Sequence, residues 1–204
     1  MVDQGLQERH DEKNRHMSTL AAASGKLIVL SGPSGVGKGT LLAHLRDRHQ
    51  DLQVSVSATT RQPRAGEVDG QHYHFVSRAA FKEMIEQGEL LEWAEFAGNY
   101  YGTPKGPIEK VITSGQRIIL EIELVGARQI KESFPEAKQI FVLPPSVEAL
   151  ESRIRERGQD NERAIAKRLA QSQVEIAAAS EFDVQIVNDS LEAALADLET
   201  ALFS

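Results

Sequence analysis

An apolar run, Lys26-Leu27-Ile28-Val29-Leu30-Ser31, passes directly into Gly32-Pro33-Ser34-Gly35-Val36-Gly37-Lys38-Gly39-Thr40 and then into the helical pattern Leu41-Leu42-Ala43-His44-Leu45. Strand, glycine-rich loop, lysine and helix in that order make a P-loop layout. Glycines let backbone N–H groups turn inward around phosphate oxygens, and the start of the helix adds its dipole at the same spot. Residues Gly32, Pro33, Ser34, Gly35, Val36, Gly37, Lys38, Gly39 and Thr40 are therefore expected to hold the phosphates of ATP or GTP, with Lys38 reaching the β- and γ-phosphates. A plain glycine-rich turn is the bland alternative, and the flanking strand and helix argue against it. The usual pattern ends Gly-Lys-Ser/Thr, with the hydroxyl on Mg²⁺. Here Gly39 follows Lys38 and Thr40 stands one place later. Thr40, directly or through water, is the expected metal contact.

The rest of the chain repeats strand and helix. Strands are predicted at 26–31, 53–58, 73–76, 117–123, 139–143 and 184–187, with further short strands and a turn over 89–103. Helices are predicted at 38–49, 78–87, 104–114, 126–134, 146–157, 164–179 and 190–203. This βα rhythm, broken by a strand-rich insert at 53–103, predicts an α/β fold: a P-loop core whose parallel sheet is flanked by helices, a small mixed α/β nucleotide-binding insert and a helical lid. The expected division is a core of 24–52, 104–145 and 169–204, a lobe of 53–103 and a lid of 146–168, with ligands at the C-terminal edge of the sheet. Residues 1–23 carry almost no apolar stripe and read as a mobile tail or a poorly packed helix, with Met17 a possible start.

Composition removes several classes. The 204 residues include no cysteine, so disulfides and thiolate metal sites are excluded. No apolar run approaches the ~20 residues that span a membrane, and the first residues are too polar for a secretory signal, so a cytoplasmic protein is expected. A net charge of −7 argues against a broad nucleic-acid surface. An anionic substrate must then be drawn by clustered arginines. Arg61 and Arg64, three apart around Pro63, suit a phosphate clamp because guanidinium groups fork onto phosphate oxygens. A solvated basic loop is the equal alternative. Tyr73 and Tyr101 offer hydroxyls to the same phosphate.

Ser57-Ala58-Thr59-Thr60-Arg61-Gln62-Pro63-Arg64-Ala65-Gly66-Glu67, then Tyr73, then Leu90-Leu91-Glu92-Trp93-Ala94, then Gly98-Asn99-Tyr100-Tyr101-Gly102-Thr103 together resemble the guanylate kinases, over about residues 26–203. The resemblance implies ATP and GMP as substrates, Mg²⁺ as cofactor, and ADP and GDP as products. It implies that Arg61, Arg64, Tyr73 and Tyr101 hold the GMP phosphate and that Ser57, Glu92 and Thr103 read the guanine. A carboxylate accepts from guanine N1–H and N2–H₂, whereas adenine would leave it unpaired. Glu92 by itself would pass for an exposed acid at a turn. Gly-Lys-Gly-Thr also occurs in adenylate kinases, where the metal is held largely through water and the nucleotide.

Glu121 and Glu123 alternate on one predicted strand and so share a face. The family carries acids at both places, the second usually Asp, which implies a role at the nucleoside or at the waters of Mg²⁺. Arg153 and Arg157, i and i+4 on one helix face, are similar to the lid arginines of the family, and Arg168 matches a third. Such arginines stabilise the charge of a phosphoryl-transfer transition state, which makes Lys38, Arg61, Arg153, Arg157 and Arg168 the expected catalytic group. Pairing with neighbouring glutamates is the structural alternative for the lid. His72 and His74 suggest no metal without a third ligand, and Asn188-Asp189 would either line the ATP base pocket or cap a helix. A non-catalytic module of the same family, or a P-loop kinase for another small acceptor, are the competing readings. Monomer and homodimer are both compatible with the sequence.

Overall fold

The computed structural model describes residues 27–96, 98–156 and 161–203. The strand β1 (Leu27–Ser31) leads through the glycine loop into helix α1 (Lys38–Arg48). Strands β2 (Gln53–Val54), β3 (Ala58–Thr59) and β4 (His74–Phe75) follow, then helix α2 (Arg78–Glu86) and the hairpin strands β5 (Leu90–Phe96) and β6 (Asn99–Pro104). Helix α3 (Lys105–Thr113), strand β7 (Ile118–Glu121), helix α4 (Leu124–Ser133), strand β8 (Lys138–Leu143) and helices α5 (Val147–Glu156) and α6 (Glu162–Ala177) come next. Strand β9 (Val184–Val187) and helix α7 (Leu191–Phe203) complete the described chain.

Two sheets result. The core sheet has the order β2-β7-β1-β8-β9 and is parallel throughout. Its central strand is buried along its whole length, as a strand covered on both faces must be. Ile28 and Leu30 pack into one cluster with Leu41, Leu45, Leu150, Ile154, Leu195 and Leu198, from α1, α5 and α7. Leu27 and Val29 face the other way, into Ile108, Ile112, Ala127, Ile130 and Phe182. Parallel strands, crossover helices and two apolar layers are the expected α/β architecture.

The second sheet, order β4-β3-β6-β5, is mixed: β3 pairs with β4 in parallel and with β6 antiparallel. The single strand expected over 53–58 is thus two strands in different sheets, β2 on β7 and β3 on β6. The strand expected over 117–123 ends at Glu121, and Glu123 is the extended N-cap of α4. Helix α2 starts as the sequence suggests, with Ser77 Oγ accepting from the Ala80 N–H at 3.1 Å. The tail 1–23, Arg157 and the lid loop around it lie outside the described residues.

Candidate active site

The glycine loop turns on two forced positions. Gly37 caps α1 with φ 106°, and a Cβ there would stand 2.5 Å from Asn188 Nδ2. Gly32 has φ 146°, and a Cβ there would strike the Val142 carbonyl of β8. Both positions exclude a side chain by strain and by space. By contrast Gly39 faces open space, so the missing hydroxyl at that position is not imposed by packing. Thr40, beside it, is exposed on α1.

Lys38 is buried, and its Nζ donates to Gly32 O at 2.6 Å and Pro33 O at 3.4 Å. The ammonium is held at the mouth of its own loop. The loop is braced from outside: Asn188 Nδ2 donates to Val36 O at 2.8 Å, and Arg153 donates to Val36 O at 3.2 Å and to Asn188 O at 2.9 Å. Arg153 therefore touches the back of the P-loop rather than the cleft. Arg155 is tied to Glu151 and Glu162 on the surface.

A cleft of about 180 Å³ opens beyond the loop. Ser34 and Lys38 of the loop line it together with Ser57, Arg61, Arg64, Tyr73, Glu92 and Tyr101. Glu121, Glu123 and Arg168 border the same space. The acids share one cleft because the N-cap backbone stays extended past the end of β7, so the alternation survives the strand. Tyr101, opposite Thr59 across the β3–β6 ladder, stands beside the arginine loop that follows β3.

Arg61 is gripped by Glu67, at 2.9 Å and 2.7 Å on its two terminal nitrogens, and Glu67 also accepts from the Arg64 N–H at 2.6 Å. The Arg61 hydrogen bonds, against some burial, hold the Glu67 carboxyl down at about 2. The same guanidinium lies 5.3 Å from the Tyr73 ring centre and 5.7 Å from that of Phe75. Tyr73 meets Tyr101 edge-on at 6.1 Å. Burial, helped by the charge of Glu121, pushes the Tyr73 phenol up to about 12, so it stays a hydroxyl donor at neutral pH. His72 is no strand residue, and its Nδ1 accepts from the Val68 N–H at 3.0 Å.

Glu92 is 4% exposed and accepts the Thr103 hydroxyl at 2.6 Å. Burial raises its pKa to about 7 against the opposing Thr103 hydrogen bonds, and the charge of Glu123 adds to the rise. Thr103 is fully buried and does not border the cleft, so its hydroxyl acts on the Glu92 carboxyl. Two residues to which the sequence reading gave no role stand out. Glu67 sits within the arginine motif and fixes its fork. Glu175 on α6 is 3% exposed, accepts from Gln171 at 3.2 Å, and keeps its second oxygen buried without a hydrogen-bond partner. Burial and then the charge of Glu123 raise it to about 7, opposed by Gln171, Lys38 and the Ser34 N–H. Nothing in the local pattern marks Glu175; α6 carries it to the P-loop through the fold.

The family model described as guanylate kinase matches residues 24–204. The chain belongs to the guanylate kinase family. The activity of this family is ATP:GMP phosphotransfer. Guanylate kinase from Thermosynechococcus vestitus is 62% identical over 188 residues, covering 92% of this chain and 98% of that protein. Guanylate kinase from Nostoc sp. is 64% identical over 180 residues, covering 88% and 90%. The crystal structure of guanylate kinase from Anaplasma phagocytophilum superposes with a TM-score of 0.73 at 33% identity, covering 86% of this chain and 83% of that one. The fold thus agrees with that of a guanylate kinase of known structure. Among the described residues no helix is long and apolar enough to cross a membrane, and no group of three or more His, Cys, Asp or Glu side chains could hold a metal alone. The oxygen donors beside Lys38, from Glu121 and Glu123, suit Mg²⁺, an ion that keeps several waters and leans on substrate phosphates.

Proposed function

We propose that this chain transfers the γ-phosphate of ATP to GMP by in-line displacement between the P-loop and the clamp of Arg61, Arg64, Tyr73 and Tyr101. One observation carries the reading: P-loop lysine, clamp arginines and a buried glutamate border a single cleft. The molecule divides into the core 24–54, 104–145 and 169–204, the acceptor lobe 55–103 and the lid 146–168, the lobe starting after β2 because β2 pairs with β7 in the core sheet. Residues Gly32 to Thr40 take the ATP phosphates through loop amides and Lys38, whose ammonium carries three donors. Arg61, steadied by Glu67, and Arg64 fork onto the GMP phosphate, and Tyr73 and Tyr101 donate hydroxyls. Ser57 and Glu92 read the base, with Thr103 fixing the Glu92 carboxylate. Arg168, with Arg157 from the lid, meets the charge that spreads over the moving phosphoryl group. Arg153 supports the loop from behind. Mg²⁺, when bound, neutralises charge on the β- and γ-phosphates; Thr40, Glu121 and Glu123, with water and the nucleotide, would hold it. A GMP phosphate oxygen is nucleophilic at neutral pH without a general base, so positioning and electrostatics account for the rate.

The test is ADP release measured in a coupled assay with GMP, AMP and CMP. GMP is expected to be preferred by on the order of 10⁴-fold, because a site built to hydrogen-bond one base leaves buried polar groups unpaired with another. Equal rates with AMP would overturn the assignment of Glu92, and no release with any acceptor would indicate a binding module.

A further inference from the structure

Glu92 sits on β5, and one core element presses on it from the side: the first turns of α4. Gln129 of that helix clasps the β5 backbone at the next residue. Its Oε1 accepts from the Trp93 N–H at 3.2 Å and its Nε2 donates to the Trp93 carbonyl at 2.8 Å. These two bonds fix the separation of helix and strand as a neighbouring strand would. One turn earlier on the same helix face stands Gly126.

Gly126 has no conformational reason to be glycine. It is helical, with no positive φ, and a glycine inside a helix is destabilising relative to alanine. Space supplies the reason. A Cβ on Gly126 would collide with Glu92 Oε2 and would stand 2.9 Å from Glu92 Cδ. Thr103 holds the other oxygen, Oε1, at 2.6 Å. The carboxyl is therefore set between a hydroxyl on one side and the bare backbone of a helix start on the other. The dipole of that first turn favours the carboxylate form, against the burial that disfavours it.

We infer that Gly126, with Gln129, is a specificity-determining positioning element: the absent side chain at 126 sets where the Glu92 carboxylate presents its acceptors to a guanine base. The inference rests on the reading of Glu92 as the base-recognising acid. Gly126 touches no substrate atom in this account and acts only through Glu92. The atoms that would clash are the far end of a flexible side chain, so an added methyl moves the carboxylate and leaves the helix in place.

The experiment is a double-mutant cycle on steady-state kinetics with GMP and AMP, using Gly126→Ala, Glu92→Asp and the pair, with Glu92→Gln and Gln129→Ala measured alongside. Gly126→Ala should raise KM for GMP about tenfold or more and lower the preference for GMP over AMP, with KM for ATP unchanged. Glu92→Asp withdraws the carboxyl by one methylene, so Gly126→Ala should cost clearly less in that background than in the parent. Gln129→Ala, which adds no bulk, should raise KM for GMP in the same direction. Additive effects in the cycle, an unchanged KM for GMP in Gly126→Ala, or an equal rise in KM for ATP would overturn the inference. If Gly126→Ala does not fold, an unchanged KM for GMP in Gln129→Ala overturns it alone. Loss of base preference in Glu92→Gln with an unaffected Gly126→Ala rejects only the role of position 126, whereas full preference in Glu92→Gln rejects the reading of Glu92 itself.

Discussion

Glu67 and Glu92 carry the same carboxyl group in opposite surroundings. Glu67 is held near 2 by the Arg61 fork, while Glu92 is raised to about 7 by burial. A raised carboxyl makes the folded chain bind more protons than the unfolded one between about 4.5 and about 7. Stability from protonated Glu92 is thus complete below its unfolded pKa and is lost as pH rises through its folded value. Glu67 works the other way, contributing above its unfolded pKa and losing that contribution as pH falls toward about 2. Glu92→Gln should therefore raise the thermal midpoint over the parent at about pH 8 and change it little at about pH 5. Scanning calorimetry at the two pH values checks this, and equal shifts at both would reject it. Arg61→Ala should lower kcat/KM for GMP by on the order of 10²–10³ through loss of transition-state charge stabilisation, and should lower the thermal midpoint at neutral pH by a smaller amount because Glu67 loses its partner. A variant of equal activity would remove Arg61 from the clamp.

The P-loop is an element whose shape depends on a residue far along the chain. Asn188 follows β9, occupies the space beside Gly37 and bonds to Val36 O. Asn188→Ala should leave Arg153 as that carbonyl's remaining side-chain donor, at a cost of about 0.5–1.5 kcal/mol, and should raise KM for ATP more than KM for GMP. Equal rises in both would place Asn188 outside the ATP site. Which parts of this element were readable in advance follows from distance along the chain. Lys38 and its glycines form one contiguous run, so pattern sufficed. Residues 53–58 alternate throughout, and alternation is the same whether a strand stays in one sheet or crosses to another, so the break between β2 and β3 carried no local signal. Glu121 and Glu123 were placed correctly on one side although the strand ends between them, because an extended N-cap preserves period 2. Gly126, Gln129 and Glu175 act only through elements brought together by folding, and neither spacing nor composition could single them out.

At the scale of the molecule, a chain of net charge −7 must collect two anionic nucleotides. Lys38, Arg61, Arg64 and Arg168 stand around one cleft, and the proposed function has them collect both. Exposed parts of that field are screened by salt, so apparent affinity for GMP should fall as ionic strength rises, and Arg61→Ala should show a shallower dependence. Titration of GMP binding at several salt concentrations measures both slopes; identical slopes would mean that Arg61 adds nothing to capture. The pairing of β3 with β6 has a further consequence for how such a molecule can be rebuilt. The chain leaves the core sheet just before β3 and returns just after β6, and those two strands are hydrogen-bonded neighbours. The excursion therefore departs and comes home through one doorway about 5 Å wide. A segment tied in this way is a cassette: its length and contents can be exchanged without re-threading the core. A chain in which residues 58–103 are replaced by a short turn should still bind ATP, as measured by calorimetry. Choice of acceptor would then be a property grafted onto a phosphate-binding core.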